Sequence, residues 1–197
     1  MVAQNGRVTL LERLRAVVDP LASVTVPPPA ARRASAVLLL FDARRPALPL
    51  LFVERTAHLR HHPGQIAFPG GGREEVDASL VDTALREAHE ETGIPTEAVE
   101  VLGVLPPLLT ATSDNWLTPV VATHSTRLTF RPDAFEVART FHVDLAALRD
   151  APHTTRTMSR DGATREVHFY EAGGNVIWGV TAAILFELLG RLDATPP

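Results

Sequence analysis

The pattern of apolar and polar residues along the chain predicts strands separated by helices. Residues 36–41 (AVLLLF) are wholly apolar, which is typical of a strand buried on both faces. The apolar run at residues 49–54 follows an Arg-Arg-Pro turn and predicts the returning strand. Residues 98–105 and 117–123 also predict strands. By contrast, residues 55–71 contain so much Pro and Gly that we expect no regular structure there.

Apolar residues at helical spacing predict helices at residues 9–18, 78–92, 144–150 and 178–192. Gly93 follows the second of these helices, where a left-handed residue commonly ends a helix. Asp144 is expected to cap the third helix with its side chain. Residues 153–158 and 166–170 flank a Ser-Arg-Asp-Gly turn and predict a hairpin.

The order of these elements predicts an α/β fold in which helices cover both faces of a mixed sheet. A chain of 197 residues is long enough for one domain of ordinary size with its own core. Residues 26–29 (VPPP) predict an extended linker. We therefore expect residues 1–34 to form a helix and a Pro-rich linker packed on the main body, and residues 35–197 to form the main domain.

Composition excludes several classes of function. Hydrophobic residues make up 45% of the chain and charged residues 21%, as in a globular protein. The net charge of −4 gives no basic footprint for nucleic acid. The chain has no Cys, no apolar run of membrane-spanning length and no signal peptide, so we expect a cytoplasmic protein without a membrane partner. It also has no Lys, which excludes a P-loop mechanism.

The predicted helix at residues 78–92 carries an acidic cluster of Glu87, Glu90 and Glu91 beside its apolar face. Residues three and four apart are neighbours on a helix, and like charges there repel by roughly 0.2–0.5 kcal/mol per pair. The cluster also lies at the negative end of the helix dipole. It therefore indicates a bound cation, and hard oxygen ligands suit Mg²⁺ or Mn²⁺. The alternative is a solvated acidic face with Arg86 as its local ion-pair partner.

The glycines just before this helix extend the pattern, because a glycine loop lets the backbone approach a ligand closely. The segment from Gly71 to Ile94 resembles the box of the Nudix family, G-x5-E-x7-R-E-U-x-E-E-x-G-U, where U is aliphatic. The matching positions of its second half are Arg86, Glu87, Glu90, Glu91, Gly93 and Ile94. The first half is one residue longer than the pattern and has Asp77 where the family has Glu.

Residues 51–71 add a second resemblance, to the coenzyme A pyrophosphatase branch of the Nudix family. The signature of that branch is LLTxRSA, followed by an Arg, three residues, a Gly, three residues and FPGG. The matching residues here are Arg55, Ala57, Arg60, Gly64 and the FPGG of residues 68–71. The branch commonly has the longer, Asp-containing box, so Asp77 agrees with it. The resemblance covers about residues 36–190.

The resemblance implies a Nudix-type α/β/α sandwich and a hydrolase. Its implied reaction is cleavage of coenzyme A and its derivatives, which are small molecules, into 3′,5′-ADP and 4′-phosphopantetheine. Hydrolysis of a diphosphate needs charge neutralisation and an activated water, and carboxylate-bound Mg²⁺ or Mn²⁺ supplies both. A Nudix hydrolase of ADP-ribose or NADH would use the same helix. A binding module that keeps the fold without catalysis is a further alternative.

The resemblance also implies roles for single residues. The expected metal ligands are Glu87, Glu90, Glu91 and the carbonyl oxygen of Gly71. Arg86 is expected to orient a carboxylate of the box through a charge-assisted hydrogen bond. The general base is expected to be Glu136, which lies outside the box, or one of the box glutamates. The residues expected to bind the substrate phosphates are Arg55, Arg60, Gly70 and Gly71.

Overall fold

The computed structural model describes residues 8–24, 33–110, 115–160 and 163–195. The predicted linker at residues 26–29 lies outside these ranges. Within them the α-helices are α1 (Leu10–Val17), α2 (Leu80–Thr92), α3 (Leu145–Arg149) and α4 (Val180–Ala194). The strands within them are β1 (Arg33–Asp42), β2 (Leu50–Arg55), β3 (Ile66–Ala67), β4 (Gly70–Gly72), β5 (Glu100–Val104), β6 (Leu108–Leu109), β7 (Asn115–His124), β8 (Val137–Val143), β9 (His153–Arg160), β10 (Ala163–Ala172) and β11 (Asn175–Trp178).

The apolar strand β1 lies at the centre of the main sheet. It pairs in parallel with β7 over its whole length, from Arg33 opposite Asn115 to Asp42 opposite His124. The sheet has the order β3-β2-β1-β7-β5, and β4, β6 and β8 pair with β1, β7 and β2 respectively. These other pairings are antiparallel, so the sheet is mixed, as predicted. The predicted hairpin is formed by β9 and β10, and β11 extends it into a second small sheet.

The two faces of β1 contact different helices, because successive side chains of a strand point to opposite faces. Leu39 is buried in one cluster with Leu185 of α4. Leu38 is buried in a second cluster with Ala84 and Ala88 of α2. This arrangement confirms the predicted α/β/α sandwich with a mixed sheet between helices.

The ends of α2 are set by local hydrogen bonds. The Ser79 hydroxyl accepts from the Asp82 N–H at 3.2 Å and begins the helix. Gly93 adopts φ 71° and ψ 16°, and its N–H donates to the His89 carbonyl, which confirms the predicted left-handed end. The prediction for α3 is wrong in one respect, since Asp144 makes no side-chain capping bond. Its carboxylate instead lies 3.5 Å from the guanidinium of Arg45.

The prediction of no regular structure at residues 55–71 is wrong. Ile66–Ala67 pair with β2 as β3, and Gly70–Gly72 pair with β1 as β4. Strands of two or three residues depend on a longer partner rather than on a pattern of their own. The predicted start of α4 at residue 178 is also wrong. Residues 175–178 pair with β10, and the helix begins at Val180.

Helix α1 lies against α4 near the end of the described chain. The Arg13 guanidinium donates to the Leu192 carbonyl at 2.6 Å and to the Thr195 carbonyl at 3.1 Å. The predicted division of the chain at residue 34 stays a prediction. β1 begins at Arg33, one residue before it. Among the described residues, no helix has the length and apolar character needed to cross a membrane.

Candidate active site

The second half of α2 presents the acidic cluster to three different environments. The Glu91 side chain is only 5% exposed, whereas the Glu90 side chain is 55% exposed. Glu87 lies between these extremes and faces the glycine strand β4. The three carboxylates therefore share one helix face but differ in how far they have been removed from water.

Glu91 is the most deeply buried member of the cluster. One carboxylate oxygen accepts from the Gly70 N–H at 3.1 Å, and the other lies 3.6 Å from Arg55 Nη1. Burial raises the pKa of Glu91 to about 8, and these two contacts oppose that shift without cancelling it. The negative charges of Glu136 and Glu87 raise the pKa further. Without a further cation the Glu91 carboxyl therefore keeps its proton at neutral pH.

Glycines 70 and 71 are required at their positions because the chain is crowded there. A β-carbon at Gly71 would overlap the Glu87 carboxylate. A β-carbon at Gly70 would overlap the backbone of Ala36 and Val37 in β1. The glycines thus let β4 pass directly over the acidic face of α2. Burial also raises the pKa of the Glu87 carboxyl, against the opposing positive charge of Arg86.

Arg86 organises the partly exposed side of the cluster. Its guanidinium donates to the Glu90 carboxylate at 2.9 Å and to the Gly72 carbonyl at 2.8 Å, and it lies 3.1 Å from the Glu87 carboxylate. The same guanidinium donates to both carboxylate oxygens of Asp77, at 2.9 and 3.0 Å. One cation thereby ties β4, the loop after it and two glutamates of α2 together.

Asp77, whose role the sequence left open, holds Arg86 in place. Its buried carboxylate also accepts from the Thr83 hydroxyl and the Glu74 N–H, each at 2.9 Å. Hydrogen bonds from Arg86 hold the pKa of Asp77 well below its usual range, so the group is a carboxylate throughout the physiological range. The Asp at this position of the longer box therefore positions the arginine and does not face the open side of the cluster.

Glu136 joins the cluster from the loop that precedes β8. The last carbonyls of α2, those of Glu91 and Thr92, accept from the backbone N–H groups of Asp133 and Arg131 at 3.0 and 2.8 Å. The backbone N–H of Thr56 donates to the Glu136 carbonyl at 3.0 Å. These bonds bring Glu136 close enough that its charge raises the pKa of both Glu87 and Glu91.

The two predicted phosphate-binding arginines lie in different settings. Arg55 ends β2 beside Glu91, and its buried Nε has no hydrogen-bond partner among the described residues. Arg60 is exposed in the following loop and takes part in none of the ion pairs found within the described residues. Only Arg55 is therefore brought into direct contact with the acidic cluster.

The contact between Phe135 and His58, beside Glu136, was not predicted from the sequence. Phe135 is 65% exposed, and its ring lies 4.8 Å from that of His58, with the ring planes at 57°. The Thr56 hydroxyl donates to the Phe135 carbonyl at 2.7 Å, which fixes the backbone beneath this pair. Residues 56 and 135 lie far apart in sequence, so no local pattern indicates that they meet.

The donor set suits a divalent cation, although the side chains are held apart. Among the described residues, no three His, Asp or Glu groups are arranged to hold a metal ion. In this arrangement Arg86 engages Glu87 and Glu90, while Gly70 and Arg55 engage Glu91. The all-oxygen donor set fits Mg²⁺ or Mn²⁺, and a bound cation would lower the raised pKa values of Glu87 and Glu91.

Comparison with known proteins identifies the family. Residues 31–162 match the NUDIX domain family. The chain belongs to the Nudix family. A protein of Enterobacter sp. (strain 638) named "Uncharacterized Nudix hydrolase NudL" is 41% identical to it over 166 residues, covering 84% of this chain and 85% of the relative. A protein of the same name from Shigella flexneri is 41% identical over 162 residues, covering 82% and 84% of the two chains.

Solved structures agree with this assignment at the level of the fold. A Nudix hydrolase from M. smegmatis, RenU, aligns with a TM-score of 0.56 and 22% identity, covering 85% of this chain and 89% of that chain. A MutT/nudix family protein from Enterococcus faecalis aligns with a TM-score of 0.51 and 17% identity, covering 88% and 67%. The family match and the curated relatives make the protein a Nudix hydrolase, and such enzymes act on small nucleoside diphosphate derivatives, generally with a divalent metal.

Proposed function

We propose that this Nudix protein hydrolyses the diphosphate of coenzyme A and its derivatives to 3′,5′-ADP and 4′-phosphopantetheine, using Mg²⁺ or Mn²⁺. The observation that carries the catalytic part is the buried carboxylate of Glu91, crowded by Glu87 and Glu136 in a family of hydrolases. A bound dication would stabilise the ionised form of these buried carboxyl groups. When bound, the ion supplies charge neutralisation on the phosphates and an acidified water.

In this proposal Glu87, Glu90, Glu91 and the Gly71 carbonyl bind the metal. Arg86 orders the carboxylates beforehand, and Asp77 keeps its guanidinium oriented. Glu90 exchanges its contact with Arg86 for the metal, which its exposure allows. Glu136 is the preferred general base, because it approaches the same cluster from a separate loop and no arginine within the described residues is paired with it.

The residues that bind the substrate phosphates in this proposal are Arg55, which ends β2 beside Glu91, and Arg60, in the exposed loop that follows. The buried, unpartnered Nε of Arg55 supports this role, because a charged donor in that position requires an acceptor. Gly70 and Gly71 line the same approach. The match of residues 51–71 to the coenzyme A branch supports coenzyme A over other diphosphates.

Two alternatives differ in what they predict. A Nudix hydrolase for ADP-ribose or NADH would use the same cluster, and the segment at residues 51–71 argues against it. A non-catalytic binding module would keep the fold and lose the chemistry. The crowded carboxylates argue against the module, since a chain without catalysis gains nothing from retaining groups that repel one another.

The test is a product assay with purified protein, Mg²⁺ and a panel of coenzyme A, ADP-ribose, NADH and a nucleoside triphosphate. Release of 3′,5′-ADP in preference to turnover of the other compounds supports the proposal. Glu91→Gln serves as the inactive variant, and Glu97→Gln, which changes an exposed carboxylate outside the cluster, serves as its matched control. Turnover of ADP-ribose or NADH instead would remove the coenzyme A assignment and keep the catalytic one.

A further inference from the structure

A polar cavity lies at the end of the main sheet away from the acidic cluster. It has a volume of about 180 Å³ and is lined by Asp42, Arg44, Arg45, His124, Leu128, Phe130 and His142. β8 begins one residue after Glu136, and His142 follows five residues further on, roughly 17 Å along the strand at 3.3 Å per residue. Asp42 likewise ends β1, whose opposite end pairs with the glycines of β4. The cavity is therefore separate from the acidic cluster.

His124 presents an unsatisfied nitrogen in this cavity. The residue is only 2% exposed, and its Nδ1 donates to the Thr126 carbonyl at 2.9 Å. That bond fixes a hydrogen on Nδ1, because a carbonyl oxygen only accepts. The buried Nε2 has no hydrogen-bond partner among the described residues. A buried polar atom without a partner costs free energy, so a ligand that contacts Nε2 relieves a cost already present in the fold.

The charges facing His124 favour an anion. Both carboxylate oxygens of Asp42 are engaged by Arg44, at 2.9 and 2.6 Å, so this acid is already neutralised. Arg45 is exposed, and its contact with Asp144 is long, at 3.5 Å. Among the residues that line the cavity, two guanidinium groups therefore face one carboxylate.

His142 adds a second imidazole from β8. Its ring meets the Phe130 ring at a centroid distance of 5.3 Å, and both residues line the cavity. Burial lowers the pKa of His142, and the neighbouring charges of His124, Arg45 and Arg44 lower it further while Asp42 opposes them. A bound anion would oppose this effect by stabilising the protonated form of His142.

We propose that this cavity binds a small oxyanion of the phosphate class, held by His124, His142 and Arg45. The ligand is limited to a single phosphoryl group, or a group of similar size, by the volume of the cavity and by the apolar side chains of Leu128 and Phe130. His142 donates to the anion as an imidazolium, so binding takes up a proton there and tightens as pH falls. The Nε2 of His124 accepts from a hydroxyl of the protonated phosphoryl group. The proposal does not depend on the hydrolase assignment.

Histidine-selective ¹⁵N NMR with inorganic phosphate, in the presence of a chelator, tests the site directly. The probe is added at constant ionic strength with chloride as the reference anion. We expect the His124 and His142 signals to shift saturably with phosphate and to shift more at low pH than at high pH. Arg45→Gln changes an exposed residue and should weaken phosphate binding about tenfold, as expected for one charge-assisted hydrogen bond. Glu91→Gln should leave it unchanged.

Three matched measurements separate the outcomes. His153→Gln, which changes a histidine of the hairpin, is the control and should bind phosphate like the unaltered protein. Sulfate and a phosphomonoester, titrated in the same way, distinguish free phosphate from a phosphorylated metabolite as the source. Shifts that match those with chloride, or an affinity unaffected by both Arg45→Gln and His142→Gln, would overturn the proposal and leave the cavity filled by water.

Discussion

The buried carboxyl of Glu91 makes the stability of the metal-free protein fall as pH rises. Its pKa is about 8 in the folded chain against an ordinary 4.5, with burial as the main cause. Between these values the folded protein holds a proton that the unfolded chain has lost. The free energy of unfolding therefore decreases with pH across this range and levels off above it. Glu91→Gln removes the titration, so this decrease should be absent from the variant.

The size of the effect follows from the raised pKa. One pH unit corresponds to about 1.4 kcal/mol, so moving a carboxyl from 4.5 to about 8 costs about 5 kcal/mol once the group is ionised. The side chain is almost fully buried, so solvent screening reduces this value little. Glutamine keeps an oxygen that can accept the Gly70 N–H bond. We expect Glu91→Gln to be more stable than the unaltered protein by up to about 5 kcal/mol near pH 9, and by little near pH 4.

Urea denaturation in the presence of a chelator, repeated across this pH range, measures the difference. Glu97→Gln is the matched control, because it removes an exposed carboxylate and should follow the unaltered protein at every pH. Addition of Mg²⁺ should stabilise the unaltered protein more than Glu91→Gln, since a ligand stabilises the state that binds it. A stability difference between Glu91→Gln and the unaltered protein that stays constant with pH would refute the reasoning.

Three further substitutions test other parts of the site. Asp77→Asn breaks the buried pair with Arg86, and urea denaturation should show a loss of about 3 kcal/mol near neutral pH. Because the pKa of Asp77 is held low, its stabilisation is present above the ordinary Asp range and disappears as pH falls below it, so a loss that persists undiminished in strong acid would contradict this account. Gly71→Ala places a β-carbon against the Glu87 carboxylate. Circular dichroism should show the fold intact, while the Mg²⁺ concentration for half-maximal activity rises about tenfold. An unchanged Mg²⁺ requirement would count against Gly71 as part of the site. Phe135→Ala removes an exposed ring beside Glu136. If the ring stacks on the adenine of coenzyme A, steady-state kinetics should show KM raised about tenfold with kcat nearly unchanged. An equal effect on a diphosphate that lacks a nucleobase would exclude stacking.

The elements with strong local signals were predictable from the sequence. The apolar run of β1, the helical spacing of α2 and the left-handed Gly93 are encoded within a few residues of where they act. The short strands β3 and β4 were missed, because each is defined by hydrogen bonds to β2 or β1 and has too few residues to show a period.

The candidate site was predictable where its residues share one helix and unpredictable where they meet across the fold. The spacing of Glu87, Glu90 and Glu91 is visible in the sequence. The burial of Glu91 is not, since it depends on β4 passing over α2. The contacts of Asp77 with Arg86 and of Thr56 with the loop that carries Glu136 likewise appear only once the chain has folded.

The release of 3′,5′-ADP from coenzyme A as a function of Mg²⁺ concentration, measured for the unaltered protein and for Glu91→Gln, tests the central claim most directly. The account predicts Mg²⁺-dependent release by the unaltered protein. The rate in Glu91→Gln should be lower by on the order of 100-fold or more, even at high Mg²⁺, because a direct metal ligand should matter at least as much as a residue that supports one. Equal rates for the two proteins, or a rate that is independent of Mg²⁺ in chelator-treated enzyme, would contradict it.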